Sequence, residues 1–331
     1  MGALTVLFIG GTGIISSAVA RRAVDLGLDV SVLNRGLATT RPVPDGVTVL
    51  VGDIRDPEST RAAMDGREFD VIVDFVAFTA EHAQSDVDLF TGKTGQYVFI
   101  GTAAAYQTPA ARLPITESTP LANRYWPYAQ HKIAAEDVLV RAYREQQFPV
   151  TIVRPAHTYD ATTVPLLGGW TAVDRMRRGL PVVVHGDGSS LWTLTHHADF
   201  AKAFVGLLGR PDTVGDTFHI TSDEWLTWDQ IYHQMATAAG VPQPHLVHIA
   251  TDTIIAAVPQ WGPGLLGDRT HSAVFDNTKV KAVVPDYTAT IPFATGARQI
   301  IDWYDADPTR QVTDPDTDTA FRTLLDPPGR A

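Results

Sequence analysis

Leu4-Thr5-Val6-Leu7-Phe8-Ile9-Gly10-Gly11-Thr12-Gly13-Ile14-Ile15-Ser16 decides how this chain reads. The first six residues are apolar or β-branched and predict a buried strand. A Gly-Gly-Thr-Gly turn follows at once, and Ala18, Val19, Ala20, Ala23, Val24 and Leu26 then predict a helix. Glycines in such a turn allow torsions closed to other residues and let the backbone approach an anion. The free N–H groups and dipole at the helix start favour that anion. The context predicts a cradle for a dinucleotide pyrophosphate at Gly10, Gly11, Thr12, Gly13, Ile14 and Ile15, with the small Ser16 standing where a third glycine usually permits close packing.

Outward from this turn, strand-like runs alternate with helical stretches: Leu4 to Ile9, Asp29 to Leu33, Val47 to Val51, Val71 to Phe75, Gln96 to Ile100 and Val150 to Val153. Alternation of this kind predicts an α/β fold with a doubly wound, Rossmann-type parallel sheet, and runs such as Val71-Ile72-Val73 suit strands buried on both faces. Residues 1–160 are read as the dinucleotide-binding domain. Residues 161–331, richer in Gly and Pro loops, are read mostly as a smaller substrate-binding lobe with helices at about 168–178, 197–209, 227–239 and 295–304. The stretch from Asp305 to Asp318 reads as a solvated polar tail rather than a lid, which docks again at its end through the helix-like Ala320 to Leu325.

The chain has 331 residues, 44% hydrophobic and 19% charged, with a formal charge of −11. No basic cluster is denser than Arg175-Met176-Arg177-Arg178, which argues against nucleic acid as a partner. The absence of cysteine excludes disulfides, thiolate metal sites and a cysteine nucleophile, and favours the cytoplasm. The first apolar run is interrupted too early to form a membrane span, so no membrane partner is expected.

At the end of the second strand stand Asn34, Arg35 and Gly36. An acidic residue there would bind an adenosine ribose and repel a 2′-phosphate. A guanidinium without a carboxylate favours NADP, with NAD as the alternative and a solvent-exposed turn residue as the bland reading of Arg35. Asp53 is read either as an adenine contact or as the cap of the helix that Pro57 begins. Further on, Tyr128 and Lys132 lie four apart on a helix candidate and so share one face. A phenol with a pKa near ~10 is a poor base at neutral pH. A neighbouring ammonium with an oxidised nicotinamide would favour the phenolate and make Tyr128 an acid/base.

Together the opening turn, Gly52-Asp53, Asp74-Phe75-Val76-Ala77-Phe78, Gly101-Thr102-Ala103-Ala104-Ala105-Tyr106, Tyr128-Ala129-Gln130-His131-Lys132 and Arg154-Pro155 resemble the extended or atypical short-chain dehydrogenase/reductases, also called the NAD-dependent epimerase/dehydratase family. The resemblance spans about residues 4–210. It implies that Lys132 holds the nicotinamide ribose and that Thr102 hydrogen-bonds the reacting oxygen beside Tyr128. It also implies that Ile54, Val76, Ala77, Pro155 and His157 contact the cofactor, and that Phe78, Ala103, His157 and Trp192 contact a small-molecule substrate. A satisfied loop histidine is the other reading of His157. A helix-mediated homodimer is a further implication.

Two departures narrow the chemistry. Trp192 stands where nucleotide-sugar epimerases bring an arginine to the substrate diphosphate, and an indole cannot replace a guanidinium clamp. Ala103 and Ala104 stand where dehydratases carry carboxylates. His196, His197 and Asp199 are read as structural rather than metal-binding, and Trp170, Trp225 and Trp228 mostly as core. The expected activity is hydride transfer between a nicotinamide and a secondary alcohol or ketone of a small polar, sugar-like substrate. An epimerase with retained cofactor is the alternative, and a catalytically silent binder of cofactor or RNA is the reading of another class.

Overall fold

Val6, Leu7, Phe8 and Ile9 are fully buried, so the apolar run at the N-terminus becomes the centre of the molecule. The computed structural model describes residues 2–37 and 40–326. In it β1 (Thr5–Ile9), β2 (Asp29–Asn34), β3 (Thr48–Val51), β4 (Val71–Asp74), β5 (Gln96–Ile100), β6 (Val150–Pro155) and a seventh strand, Thr217–Ile220, form one sheet. All its pairings are parallel. The order runs β3-β2-β1-β4-β5-β6 and ends on Thr217–Ile220. The progression reverses between β1 and β4, where Ile9 pairs with Leu33 on one side and Asp74 on the other. Open α/β sheets bind ligands at such a switch point, beyond the carboxyl ends of the strands.

Helices cover both faces. On one, α1 (Ile14–Asp25) and α6 (His197–Gly206) pack Val19, Ala20, Phe200 and Phe204 on Val6 and Phe8. On the other, α3 (Ala80–Phe90) and α4 (Pro127–Gln146) pack Val87, Phe90, Ala135 and Leu139 on Leu7, Ile9 and Phe99. A separate core joins α5 (Gly169–Arg177), α7 (Trp228–Ala238), the helix Phe293–Asp305 and the parallel strand pair Val182–His185 with Leu246–Ile249. Trp170, Trp192 and Trp228 are buried in it, whereas Trp225 is exposed.

The sheet extends past the boundary read in the sequence. The sheet unit does not stop at residue 160: α6 covers one face, and Thr217–Ile220 pairs with the open edge of β6. An unpaired edge beside a buried strand leaves backbone groups unsatisfied, and the returning strand removes that cost. The stretch 305–318 is exposed or half-exposed throughout, and the chain docks again at Ala320, Phe321 and Leu324. Its end is helical: Asp314 caps a helix Pro315–Leu325 by accepting from the Asp316 and Thr317 N–H groups, and Asp318 pairs with Arg175 at 2.5 Å. The Asp, Pro and Thr that lowered its hydrophobicity are helix-start residues.

Candidate active site

Gly10 and Gly11 have φ of +111° and +53°, and a side chain fits at neither. A Cβ on Gly10 would come within 2.9 Å of Val76 Cγ1, and one on Gly11 would fall inside the Val32 side chain. Gly13 caps α1 and its N–H donates to Ser16 Oγ at 2.8 Å, which gives the serine a task that a third glycine could not perform. Above this turn, along the carboxyl ends of β1 to β4, lies a cavity of about 370 Å³. Gly10, Thr12, Asn34, Arg35, Asp53, Ile54 and Val76 line it. Gly11, Gly13 and Ile14 shape the turn beneath, and Ile15 packs on the sheet core. Shape and donor set fit a dinucleotide: a cradle closed to side chains, a helix N-terminus, and an exposed guanidinium at Arg35.

The capping role considered for Asp53 belongs to Asp56, whose carboxylate accepts from the Glu58 and Ser59 N–H groups at the start of α2 (Pro57–Ala63). Leu37, Arg55 and His82 also line this cavity and carried no signal in the sequence. Arg55 donates to the Val76 carbonyl. Phe78, expected on the substrate side, lines this cavity, with its ring centroid 6.4 Å from that of Tyr128.

Under the junction, Asp74 Oδ1 accepts from the N–H groups of Val76 and Ala77, at 2.5 and 2.8 Å, and bends the chain after β4. The bend delivers the Ala77 carbonyl to Lys132. Lys132 Nζ donates to Ala77 O at 2.7 Å and Ile100 O at 2.6 Å, with the Phe78 and Phe99 rings 4.5 and 4.9 Å away. The side chain is 1% exposed, and burial pushes its ammonium down to about 8. Behind it, burial and the neighbouring Asp74 hold Asp86 well above the usual carboxylate range, and the Tyr97 hydroxyl donates to Asp86 Oδ2 at 2.6 Å.

Tyr128 is the second residue of α4, placed by Trp126 at the cap and Pro127 at the first helical position. Thr102 follows β5 directly, and its hydroxyl accepts from the Ala104 N–H at 3.2 Å. Burial raises the Tyr128 phenol above its ordinary value, a side-chain hydrogen bond with Thr102 opposes this, and Asp268 adds to it. Burial thus disfavours the phenolate. The Lys132 ammonium is engaged by the Ala77 and Ile100 carbonyls.

A second cavity, of about 300 Å³, opens in front of this pair. Thr102, Ala103, Tyr128, Pro155, His157 and Trp192 line it, together with Gly267, Asp268, His271 and Ser272 from a segment that no sequence motif marked. Its lining contains no lysine or arginine. Burial, and secondarily Arg269, push His157 down to about 3, so the ring is neutral. It meets Trp192 edge to face at 5.8 Å. The buried Trp192 indole N–H has no partner among the described residues. Of the other candidates, His196 bonds Gln299 at 2.9 Å, and Asp199 accepts from Lys202 and the Ile291 N–H. No metal-type cluster occurs among the described residues, and none of their helices is long and apolar enough to cross a membrane.

Comparison with known proteins agrees with this architecture. The chain is 25% identical over 257 residues to the chloroplast stem-loop binding protein of 41 kDa b of Arabidopsis thaliana, covering 73% of this chain and 65% of that protein. It is 26% identical to the 2′-dehydrokanamycin reductase of Streptomyces kanamyceticus, over 72% of this chain and 68% of the relative. A UDP-glucose 4-epimerase of Streptomyces lividans is 31% identical over 65% of this chain and 67% of its own length. The chain thus spans about two-thirds of these curated relatives. Among solved structures, a dTDP-glucose 4,6-dehydratase from Bacillus anthracis in complex with NAD matches with a TM-score of 0.75 at 19% identity, over 93% of this chain and 98% of that one. A UDP-glucose 4-epimerase with UDP-glucose from Thermotoga maritima matches with a TM-score of 0.72 at 16% identity, over 91% and 98%. The model of the NAD dependent epimerase/dehydratase family matches residues 6–221, and the chain belongs to that family.

Proposed function

We propose that this protein is a nicotinamide-dependent carbonyl reductase acting on a small, polar, cyclic substrate. The observation that carries the reading is the junction of two cavities at Phe78 and Tyr128: one fits a dinucleotide, and the other holds Tyr128 and Thr102 at its wall. A bound nicotinamide supplies the hydride. The residues of this chain then have separable tasks. Gly10 to Ile15 hold the pyrophosphate, and Asn34, Arg35, Asp53, Ile54 and Val76 surround the adenosine. Lys132, with one N–H beyond the two given to Ala77 and Ile100, donates to the nicotinamide ribose. Thr102 orients the substrate oxygen, and Tyr128 gives it a proton. Ala103, His157 and Trp192, with the lobe after residue 160, shape the substrate end.

Reduction is favoured over epimerisation by two features. Burial raises the phenol, which disfavours the phenolate that alcohol oxidation, the first half of an epimerisation, needs. The substrate cavity lacks the cations that a nucleotide diphosphate needs. Kinship with a 2′-dehydrokanamycin reductase supports the same direction. Arg35 at the end of β2 favours NADP over NAD. The cysteine-free composition supports a cytoplasmic location. The name of the stem-loop binding relative raises an RNA role, against which the charge of −11 counts.

Tyr128→Phe tests the reading. With NADPH and a ketone substrate, kcat should fall by roughly 10²–10⁴-fold, the range for losing a positioned acid, while NADPH affinity stays within about threefold. Undiminished turnover would refute the assignment. Mass analysis of the denatured protein separates the alternative: about one retained nicotinamide cofactor per chain would favour an epimerase, and an empty protein that binds NADPH a reductase.

A further inference from the structure

The substrate cavity carries one carboxylate, Asp268, in a setting that none of the tasks above uses. It lies on a π-helical turn, Leu265–Arg269, a rare conformation that is frequent at functional sites. The turn is clamped on both sides of Asp268. Asn123 Nδ2 donates to Gly267 O at 2.6 Å, and Trp228 Nε1 donates to Arg269 O at 3.0 Å. His185 Nε2 also lies 3.0 Å from Arg269 O. Gly267 has no room for a side chain, because a Cβ would stand 2.7 Å from Trp126 Cβ. The clamp leaves Asp268 at the meeting of the 300 Å³ cavity and a neighbouring one of about 440 Å³, both of which it lines together with Trp126 and His157.

No hydrogen bond or ion pair reaches the Asp268 carboxylate among the described residues. The charged and titratable groups around it come from three directions. Arg269, next in the chain, turns its guanidinium over the Trp228 ring, 5.6 Å from the centroid. Burial pushes His157 down to about 3 and lowers His271 below its ordinary value. Tyr128 is held as the phenol. The aromatic walls Trp126, Tyr128, Trp192 and Phe275 offer ring faces of the kind that attract cations. Arg269 lines the neighbouring cavity and acts on Asp268 through space without pairing with it, whereas on the side of the 300 Å³ cavity, lined by no lysine or arginine, the half-buried carboxylate faces no cation. Burial pushes this one up to about 7, and a bound cation would return it to the ionised form.

We propose that Asp268 is a specificity-determining residue that binds a protonated amine of the substrate, so that the compound reduced here is an amine-bearing cyclic ketone. This rests on the reductase reading and narrows its substrate class. The cavity volume suits one substituted six-membered ring. Because the carboxylate must be ionised to pair, amine affinity rises with pH through the neutral range, whereas that of a neutral ring does not.

Three ring probes test this without turnover: trans-4-aminocyclohexanol, cyclohexane-1,4-diol and 4-hydroxycyclohexanecarboxylate, titrated by ligand-observed NMR at pH 6 and pH 8. NADPH binding is measured on the same samples. The expected result is roughly tenfold tighter binding of the amine than of the diol at pH 8, a smaller margin at pH 6, and the carboxylate weakest. Asp268→Asn should bring the amine to the level of the diol and leave the diol unchanged, while Asp268→Glu keeps the preference. Equal binding of amine and diol by the wild type, a preference that survives Asp268→Asn, or no amine binding up to roughly 50 mM would each overturn the proposal. Should Asp268→Asn fail to fold, the wild-type pH comparison decides alone. Loss of NADPH binding with an intact amine preference would refute the reductase reading and leave the amine site standing.

Discussion

Gly11 shows how one residue ties fold to function. Its φ of +53° and the Val32 side chain beside it exclude any Cβ, and the same absence lets the backbone approach an anion. Gly11→Ala should therefore cost about 1–3 kcal/mol of stability through overpacking and left-handed strain, and should weaken NADPH binding by a larger factor than it weakens folding. Urea unfolding and fluorescence titration of the same preparation check both, and an unchanged variant would contradict the cradle. Residues with local tasks of this kind were legible in the sequence. Thr12, Asn34, Arg35, Asp53, Ile54 and Val76 line the 370 Å³ cavity, and Thr102 and Tyr128 the 300 Å³ one. Lys132 was legible as a site residue, but its partners were not, because the Ala77 and Ile100 carbonyls reach it from 55 and 32 residues away in sequence. Asp268 left no trace in the sequence, since its significance lies in what surrounds it after folding.

At the scale of elements, the six expected strands all form, with ends shifted by one or two residues, and the helix carrying Tyr128 and Lys132 runs Pro127–Gln146. Strands buried on both faces must be almost wholly apolar, so their signal is strong and local. Elements without such a signal escaped. The seventh strand, Thr217–Ile220, is only four residues long, and it is defined by the edge of β6 that it completes. The helix Pro315–Leu325 was legible only in its second half, because capping residues mask its start, and what holds it is remote: Phe321 faces Gly168 and the Trp261 ring, and Asp318 pairs with Arg175. The π-helical turn follows two short segments, Pro259–Trp261 and Gly262–Gly264, whose Gly and Pro content reads as loop.

Across the whole molecule, buried titratable groups set how stability responds to acid. Burial pushes His157 down to about 3, and His185 and His196 to about 4. These rings are neutral in the fold and take up protons on unfolding below about pH 6.5, so their contribution is complete above that pH and is lost as it falls toward 4. Asp86, raised well above its ordinary value, and Asp268, raised to about 7, act in the opposite sense. They are protonated in the fold and lose their protons on unfolding, so their contribution shrinks as pH rises through the same window. Burial lowers His82, His197, His219 and His271 as well, so the histidines outnumber the two carboxylates and unfolding takes up protons on balance in acid. Urea midpoints should fall between pH 7 and pH 5, and a flat or rising midpoint would show that these histidines are not buried neutral. Sheet, switch point and lobe together place the two cavities end to end, and that arrangement underlies the proposed activity. A crystal structure of the protein with NADPH tests it most directly. The pyrophosphate should lie over Gly10 to Gly13, the 2′-phosphate beside Arg35, and the nicotinamide ring should open into the cavity walled by Thr102 and Tyr128, its ribose on Lys132. A cofactor bound elsewhere, a nicotinamide turned away from Tyr128, or no bound cofactor at saturating concentration would contradict it.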